Sequence, residues 1–150
     1  MTRVNTVEPV HLADQHLIAE HREYGIALYS FLNSLNSKYG IVPAKISKEY
    51  TLNKGHVYFF YDKMGYLQKR HQLLKAEATR RGFRLELNPD WSKVPAAYLN
   101  DWTPTAKDHS VNIERLIFRI NEKPTWYRYM GKPIDNNFCD VYSTYTEPLE

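Results

Sequence analysis

The sequence predicts a mainly α protein, a compact single domain of three helices joined by long irregular loops. Three segments repeat apolar residues at the three- and four-residue spacing of a helix face, and prolines recur in the chain between the second and the third. The length of 150 residues suits one domain, and the 43% hydrophobic and 25% charged content is typical of globular proteins. We therefore expect one hydrophobic core shared by three helices.

The first predicted helix spans residues 14–39. Its core face consists of five residues: Leu17, Tyr24, Leu28, Phe31 and Leu35. Asp14 has a side chain suited to an N-cap, and Gly25 weakens the helix locally without ending it. A loop is expected over residues 41–55.

The segment HVYFFYDK, residues 56–63, is rich in strand-forming residues and permits a short strand. The second predicted helix follows over residues 63–81. Four residues share its core face: Met64, Leu67, Leu74 and Ala78. Gly82 followed by Phe83 predicts a Schellman-type ending of this helix.

The third predicted helix spans residues 108–122, after a turn-rich connection over residues 85–105. It is expected to bury four residues: Ile113, Leu116, Ile117 and Ile120. Pro124 ends the helix, and the chain beyond it is expected to be irregular and aromatic.

Charge is unevenly distributed along the chain. Residues 135–150 hold four acids and no Lys or Arg, which leaves residues 1–134 with 20 basic and 13 acidic residues, a formal net charge of about +7. Basic residues interleaved with aromatics suit nucleic acid, although aromatic side chains in a small protein are more often in the core. No signal peptide or membrane span is expected, and the single cysteine, Cys139, favours a reducing cytoplasmic location.

The stretch LADQHLIAEHRE concentrates ionisable residues within twelve positions of the first helix. His16 and Glu20 have the spacing of zinc ligands, but His21 points about 140° away from His16 at roughly 100° per residue. A metal site is therefore not expected. Taken alone, the stretch favours a solvated polar flank formed by His16, Glu20 and Glu23.

Several motifs together resemble the pyrimidine-dimer DNA glycosylases of the bacteriophage endonuclease V family. They are MTRVN, LADQHLIAEHRE, KIS at residues 45–47, GHVYFFYDK, RRGF and KPTWYRYMGK. The resemblance extends to about Ile134, so residues 1–134 are expected to form the glycosylase and abasic-site lyase domain. Residues 135–150 are then an acidic, aromatic C-terminal extension. The family fold also implies that HVYFFY enters the second helix as a loop and not as a strand.

The resemblance implies catalysis without metal or cofactor. In this family, the α-amino group of the residue after the initiator methionine is the nucleophile and a glutamate of the first helix lies beside it; the matching residues are Thr2 and Glu23. An α-amino group has a pKa of about 7.7–8.0, against about 10.4 for lysine, so a substantial fraction of it is free amine near neutral pH.

The resemblance also implies a monomer that binds and kinks double-stranded damaged DNA and does not act at membranes. The residues that match DNA-contacting positions are Arg3, Gln15, His16, Arg22, Arg115 and Arg119. A core or capping role for His16, and solvated charges for Arg115 and Arg119, are the alternatives. The rings of Trp126, Tyr127 and Tyr129 match a segment implicated in dimer recognition, and packing against the first helix would explain them equally well.

Three departures from the family pattern bear on lesion specificity. Ile26 stands where the family has an arginine, Met130 where it has an aromatic residue, and the extension from Asp135 has no counterpart. Two further hypotheses therefore remain: an abasic-site lyase with altered lesion choice, and a DNA-binding module without catalysis.

Overall fold

Three long helices and one short one form the framework of the fold. The computed structural model describes residues 3–146. Its elements are α1 (Asp14–Leu35), α2 (His56–Phe59), α3 (Met64–Arg80), α4 (Ala106–Glu122), and the antiparallel strands β1 (Arg128–Tyr129) and β2 (Lys132–Pro133). Short 3-10 helices occupy Pro9–His11, Pro43–Lys45, Phe60–Asp62, Trp91–Lys93, Ala96–Tyr98 and Phe138–Tyr145. Residues 3–8 are called the N-terminal segment below. The predicted mainly α class is confirmed, and the helix count differs only by α2.

The core lies between α1 and α3, on the faces that the sequence predicts. Met64, Leu67, Leu74 and Ala78 of α3 are fully buried. On α1, Leu17, Tyr24, Leu28 and Phe31 are buried, and Leu35 is partly buried at the end of the helix. Burial of these side chains holds the two helices together, since each large apolar side chain contributes about 1.5–3 kcal/mol.

The Schellman ending of α3 is confirmed. Gly82 has a φ of +84°, a left-handed conformation that glycine adopts without steric cost. The Phe83 amide donates to the Ala78 carbonyl at 2.8 Å, and the Gly82 amide donates to the Thr79 carbonyl at 3.0 Å. The chain therefore leaves α3 in a defined direction.

Helix α4 begins two residues before its predicted start. Thr105 is the N-cap, and its hydroxyl accepts from the Asp108 amide while the Asp108 carboxylate accepts from the Thr105 amide, a capping box. Among the residues expected in its core face, Ile113, Leu116 and Ile120 are buried and Ile117 is partly buried.

The prediction that Asp14 is the N-cap of α1 is wrong, because Ala13 occupies that position. The Asp14 carboxylate is buried, accepts from Arg81 at 3.0 Å, and also accepts from the backbone amides of Met130 and Gly131 at 3.0 and 2.8 Å. Met130 and Gly131 both have positive φ and form the two-residue turn between β1 and β2. Asp14, a residue type that often caps helices, thus binds the backbone of the β1–β2 turn.

The segment HVYFFYDK is neither the strand that its composition permits nor the loop that the resemblance implies. It forms α2 and the 3-10 helix Phe60–Asp62, which place the side chains of His56, Phe59 and Phe60 in the core. A short apolar run does not distinguish a buried strand from a buried helical turn, so sequence periodicity could not decide this element.

The chain after α4 is more regular than predicted. It forms the β1–β2 hairpin and the 3-10 helix Phe138–Tyr145, in which Tyr142 is buried and donates its hydroxyl to the His11 carbonyl at 2.8 Å. The Tyr145 hydroxyl accepts from the Glu8 amide at 3.1 Å. The boundary at residue 134 stays a prediction. None of the helices within residues 3–146 combines the length and the apolar character that crossing a bilayer requires.

Candidate active site and nucleic-acid interface

The N-terminal segment is held firmly, although chain ends usually fray. The Val4 amide donates to His56 Nε2 at 3.0 Å, and the Tyr50 hydroxyl donates to the Val4 carbonyl at 2.7 Å. The Tyr66 hydroxyl donates to the Asn5 carbonyl at 2.9 Å. Because these partners are themselves buried, the beginning of the described chain has a fixed position.

A cavity of about 280 Å³ lies between the N-terminal segment, α1, α4 and the aromatic chain that follows α4. Five of the six predicted DNA-contacting residues line it: Arg3, Gln15, His16, Arg115 and Arg119. They come from positions up to 116 residues apart in sequence, so folding gathers them. Arg22, the sixth, lies outside the cavity lining and is exposed to solvent.

Three guanidinium groups at this cavity influence one another. Burial lowers the pKa of Arg115, and the charges of Arg119 and Arg3 lower it further. Arg119 lies 3.6 Å from the Glu122 carboxylate, in a partly exposed ion pair, and Arg3 donates from Nε to the Leu52 carbonyl at 3.1 Å. Like charges gathered in one place repel each other and attract an anion, which is the electrostatic requirement of a phosphate-binding surface.

Glu23 lies half-buried on α1, within electrostatic range of Arg3. Burial raises the pKa of its carboxyl group, the charge of Arg3 opposes that rise, and the charge of Glu20 adds to it. A carboxyl group with a raised pKa exchanges protons more readily near neutral pH. Thr2, the predicted nucleophile, lies outside the described residues.

A sequence comparison identifies the family. The family model described as "pyrimidine dimer DNA glycosylase" matches residues 1–91, more than half of the chain. This chain belongs to the pyrimidine dimer DNA glycosylase family. The match confirms the resemblance noted above, and it supports pyrimidine-dimer glycosylase activity and binding to damaged DNA in general.

The match covers α1 to α3 of this glycosylase, and with them Arg3, Gln15, His16, Arg22 and Glu23. Helix α4, with the other two arginines of the cavity, lies beyond the matched residues. Its contribution to the site is therefore seen in the structure and not in the comparison.

Gln15 connects α1 of the glycosylase to the aromatic chain after α4. Its side-chain amide donates to the Trp126 carbonyl at 2.7 Å and accepts from the Arg128 amide at 3.0 Å. The Tyr129 hydroxyl donates to the Val10 carbonyl at 2.8 Å. These contacts show that the aromatic chain packs against α1 and the residues that precede it. Packing against the first helix was one of the two explanations that the sequence left open for these rings.

His16 is buried in the wall of the cavity. Its ring lies 4.7 Å from that of Tyr127, and its Nδ1 finds no hydrogen-bond partner among residues 3–146. Burial, followed by the charge of Arg119, lowers the pKa of His16 to about 4. The ring is therefore neutral at neutral pH, and it offers hydrogen bonding and not a positive charge to a phosphate.

The predicted solvated flank is wrong for Glu20. Its carboxylate is buried, accepts from Arg70 Nε at 2.6 Å and from Arg70 Nη2 at 3.1 Å, and accepts from the Tyr24 hydroxyl at 2.6 Å. One sequence signal could have revealed this pair: Arg70 stands three residues after Leu67 and four before Leu74, on the apolar face of α3.

The residues that hold the N-terminal segment were missed by sequence reasoning. Tyr50 and His56 come from the chain before and within α2, Tyr66 from α3, and Asn112 of α4 lies 2.9 Å from the Tyr50 hydroxyl. No shared spacing connects these positions, so the sequence carried no signal for them. Within the described residues, no group of three or more His, Cys, Asp or Glu side chains is arranged to hold a metal ion.

Proposed function

We propose that this family member is a bifunctional enzyme that excises a pyrimidine dimer and then cleaves the strand at the resulting abasic site. The α-amino group of Thr2 is the nucleophile and Glu23 is the acid–base group. The observation that carries the proposal is the coupling between the anchored N-terminal segment and Glu23. Arg3, which follows the proposed nucleophile in the chain, carries a positive charge that lowers the pKa of the Glu23 carboxyl group.

The proposed chemistry uses the amine for both steps. The Thr2 nitrogen attacks C1′ of the deoxyribose, a C1′–N bond forms, and the glycosidic bond breaks with its electron pair leaving on the base. Opening of the sugar ring then gives a protonated imine between Thr2 and C1′. The imine makes the C2′ hydrogen acidic, and its removal expels the 3′ phosphate by β-elimination. Water finally hydrolyses the imine and frees the amine.

Glu23 suits the proton transfers in this sequence. As a carboxylate it stabilises the positive charge that develops at the sugar, and as a carboxylic acid it supplies a proton to the opening ring oxygen. Burial raises its pKa while the charge of Arg3 opposes the rise, which suits a group that both gives and takes a proton. The neighbouring Glu20 cannot take this role because Arg70 holds it in the core.

The arginines at the cavity would hold the damaged strand. Arg3, Arg115 and Arg119 together provide a positive surface at the cavity, and guanidinium groups bind phosphate oxygens through paired hydrogen bonds. Arg22 is exposed on α1 next to Glu23 and would contact the backbone outside the cavity. We expect binding to weaken steeply with salt, since each phosphate contact releases counterions.

Borohydride trapping tests the proposal directly. Untagged protein with Met1 removed is incubated in chelator with a duplex carrying one cyclobutane dimer, or with a matched abasic duplex, and then reduced. We expect incision of both duplexes and a covalent adduct that maps to Thr2. A version with one extra N-terminal residue should bind but not trap, while a C-terminal tag should change neither. Absence of an adduct from protein with a free Thr2 amine would defeat the proposed mechanism.

A second candidate function is favoured by one observation. Ile26, which is 57% exposed, stands one helical turn beyond Glu23 where the family pattern has a cation. An abasic-site lyase with altered lesion choice would keep the Thr2 and Glu23 chemistry but cleave dimer-containing DNA poorly. The ratio of incision rates on abasic and dimer duplexes, measured with the same preparation, separates the two candidates.

A further inference from the structure

The C-terminal extension has no part in the chemistry above, yet much of it has a defined place in the fold. Its 3-10 helix Phe138–Tyr145, called the C-terminal strap below, packs against α4. Residues 135–150 contain four acids and no Lys or Arg, so DNA phosphates repel this part of the chain. A role in the reaction therefore has to act through the residues that the strap contacts within the protein.

The strap holds the chain at the far end of the N-terminal segment. The Tyr142 hydroxyl donates to the His11 carbonyl at 2.8 Å. The Tyr145 hydroxyl accepts from the Glu8 amide at 3.1 Å and hydrogen-bonds to His11 Nδ1 at 2.5 Å. Tyr142 is buried and Tyr145 is half-buried. Two side chains of the strap thus fix the residues through which the segment continues towards α1.

Tyr145 also reaches the middle of the N-terminal segment, through α4. Its ring centroid lies 5.2 Å from that of His109, and His109 Nδ1 lies 2.9 Å from the Thr6 hydroxyl. His109 belongs to α4, so the strap, the helix and the segment meet at one place. A hydrogen bond to an imidazole nitrogen depends on the angle of the ring, and Tyr145 packs against that ring. The position of Thr6 therefore depends on the strap.

Thr6 connects this place to the anchor at the front of the segment. Its hydroxyl accepts from Asn112 Nδ2 at 3.0 Å, and the buried Asn112 places Oδ1 2.9 Å from the Tyr50 hydroxyl. That hydroxyl donates to the Val4 carbonyl at 2.7 Å. Val4 stands two residues after Thr2. The contacts form a continuous network from the strap to the chain beside the proposed nucleophile.

The position of a nucleophile has a large effect on rate. The nucleophile and its target carbon have to approach to about 3–3.5 Å in the right orientation, and about 1 Å of misplacement costs up to about 100-fold in rate. Chain ends fray unless other parts of the fold hold them. An amine at the start of a chain therefore depends on every contact that fixes the segment behind it.

Resting on the proposed function, we propose that the C-terminal strap positions the N-terminal segment for nucleophilic attack, with Tyr145 as the positioning residue. Tyr145 touches neither DNA nor the reacting atoms, and it acts through the network described above. The acidic extension thereby contributes to the reaction without contacting the phosphates that its charge repels.

Tyr145→Phe tests the strap with little disturbance of the fold, because the ring stays and only the hydroxyl is lost. We expect the rate of borohydride trapping at a saturating concentration of abasic duplex to fall by about tenfold, while Kd for the same duplex changes by less than about twofold. The melting temperature should fall by no more than about 4 °C, so an assay at about 20 °C compares folded proteins. Trapping at the wild-type rate would overturn the proposal.

Thr144→Val is the matched control. It removes a hydroxyl from the same strap, but the Thr144 hydroxyl donates within the strap, to the Val141 carbonyl at 2.7 Å. We expect this variant to trap and to bind like wild type. Trapping that is as slow in Thr144→Val as in Tyr145→Phe would contradict the assignment of the role to Tyr145.

A pH series on trapping separates positioning from a change in charge. Poorer positioning lowers the trapping rate by the same factor at every pH, so the Tyr145→Phe profile should keep the wild-type midpoint at a reduced height. A shifted midpoint would show that the hydroxyl acts on the protonation of the reacting groups, and the positioning role would be wrong.

A double variant tests whether the strap and the front anchor act on one segment. Tyr50→Phe combined with Tyr145→Phe should slow trapping by less than the product of the two single effects, because residues of one network are not independent. Single effects that multiply fully would contradict the network.

Hydrogen exchange separates a failure of the strap from a failure of the Thr2 mechanism. Amide exchange in a peptide covering residues 3–8, measured by mass spectrometry without DNA, should be about five- to tenfold faster in Tyr145→Phe than in wild type. If wild-type protein forms no adduct, the Thr2 mechanism fails, and exchange decides the strap: faster exchange supports it as the anchor of the segment, and unchanged exchange overturns it. If wild-type protein traps and Tyr145→Phe traps equally fast, the strap fails and the mechanism stands.

Discussion

Two glutamates on α1, three residues apart, have opposite environments. Glu20 is 1% exposed and is neutralised by two hydrogen bonds from Arg70 and one from Tyr24. Glu23 is half-buried, has a raised pKa, and shares its surroundings with the charge of Arg3. One carboxylate is paired in the core, and the other is partly open to solvent within the field of Arg3.

The difference shows how one helix holds one carboxylate in the core and leaves another open to proton exchange. A carboxylate that is fully paired in the core has no freedom to exchange a proton, and removing its partner leaves an uncompensated buried charge. A carboxyl group that is partly desolvated and only partly neutralised is available for proton transfer. The N-terminal segment adds to the contrast, since its hydrogen bonds to Tyr50 and His56 fix the segment whose Arg3 charge acts on Glu23.

Glu23→Gln is expected to have the largest effect, on activity alone. Incision of a dimer duplex should fall by about 10²–10⁴-fold because the amide cannot exchange a proton, while DNA binding and the melting temperature stay close to wild type. Single-turnover kinetics with gel analysis measures the rate, and Glu86→Gln, an exposed carboxylate elsewhere, serves as control. Equal turnover by Glu23→Gln would remove Glu23 from the mechanism.

Arg70→Met should instead damage the fold. It leaves Glu20 buried without its partner, and we expect a loss of about 3–5 kcal/mol in the free energy of unfolding by urea denaturation. Lys69→Met, which breaks only the exposed pair with Asp101, should change stability by less than about 1 kcal/mol. The double variant Glu20→Leu/Arg70→Met should recover part of the loss. A single Arg70→Met variant as stable as wild type would contradict the assignment of Glu20 to the core.

Tyr50→Phe tests the anchoring of the N-terminal segment. Losing the hydroxyl removes the hydrogen bonds that the Val4 carbonyl and the Asn112 Oδ1 accept from it, at a cost of about 1–3 kcal/mol. Because the segment carries Arg3, borohydride trapping should slow more than DNA binding weakens. Tyr39→Phe, on a tyrosine that is 79% exposed, is the control. Trapping at the wild-type rate would show that the anchor does not matter for catalysis.

A pH series on stability tests the buried, neutral ring of His56. Burial lowers the pKa of His56 to about 4, against an ordinary value of 6.5. Between these values the native state binds fewer protons at this site than the unfolded state, so stability is full above pH 6.5 and is lost as pH falls towards 4. His56 should contribute about 1.4 kcal/mol per pH unit in that window. His56→Gln should reduce the slope of unfolding free energy against pH by this amount, and an unchanged slope would contradict a neutral buried His56.

The regular elements were predictable because their signals are local. The apolar faces of α1, α3 and α4 repeat within each helix, and the glycine after α3 acts on the last turn of the same helix. Even the exceptions follow this logic: α1 ends earlier than predicted, at Leu35, and α2 was missed because four residues are too few for periodicity to identify a helix.

The family and its candidate chemistry were also readable from the sequence, since motifs such as MTRVN and LADQHLIAEHRE keep their residues in order along the chain. Those motifs identified Glu23 and the arginines as candidates. They singled out Glu23 as the catalytic candidate but gave no sign that Glu20, in the same motif, is paired in the core.

The sequence by itself determined where the long helices lie, which faces they bury and which family the chain joins. Only the tertiary structure decided the roles of the polar residues. Glu20 meets Arg70 across 50 positions, and Asp14 meets Arg81 across 67. Helix formation depends on neighbours within a turn or two, whereas the charge state and the role of a carboxylate depend on the side chain that folding brings against it.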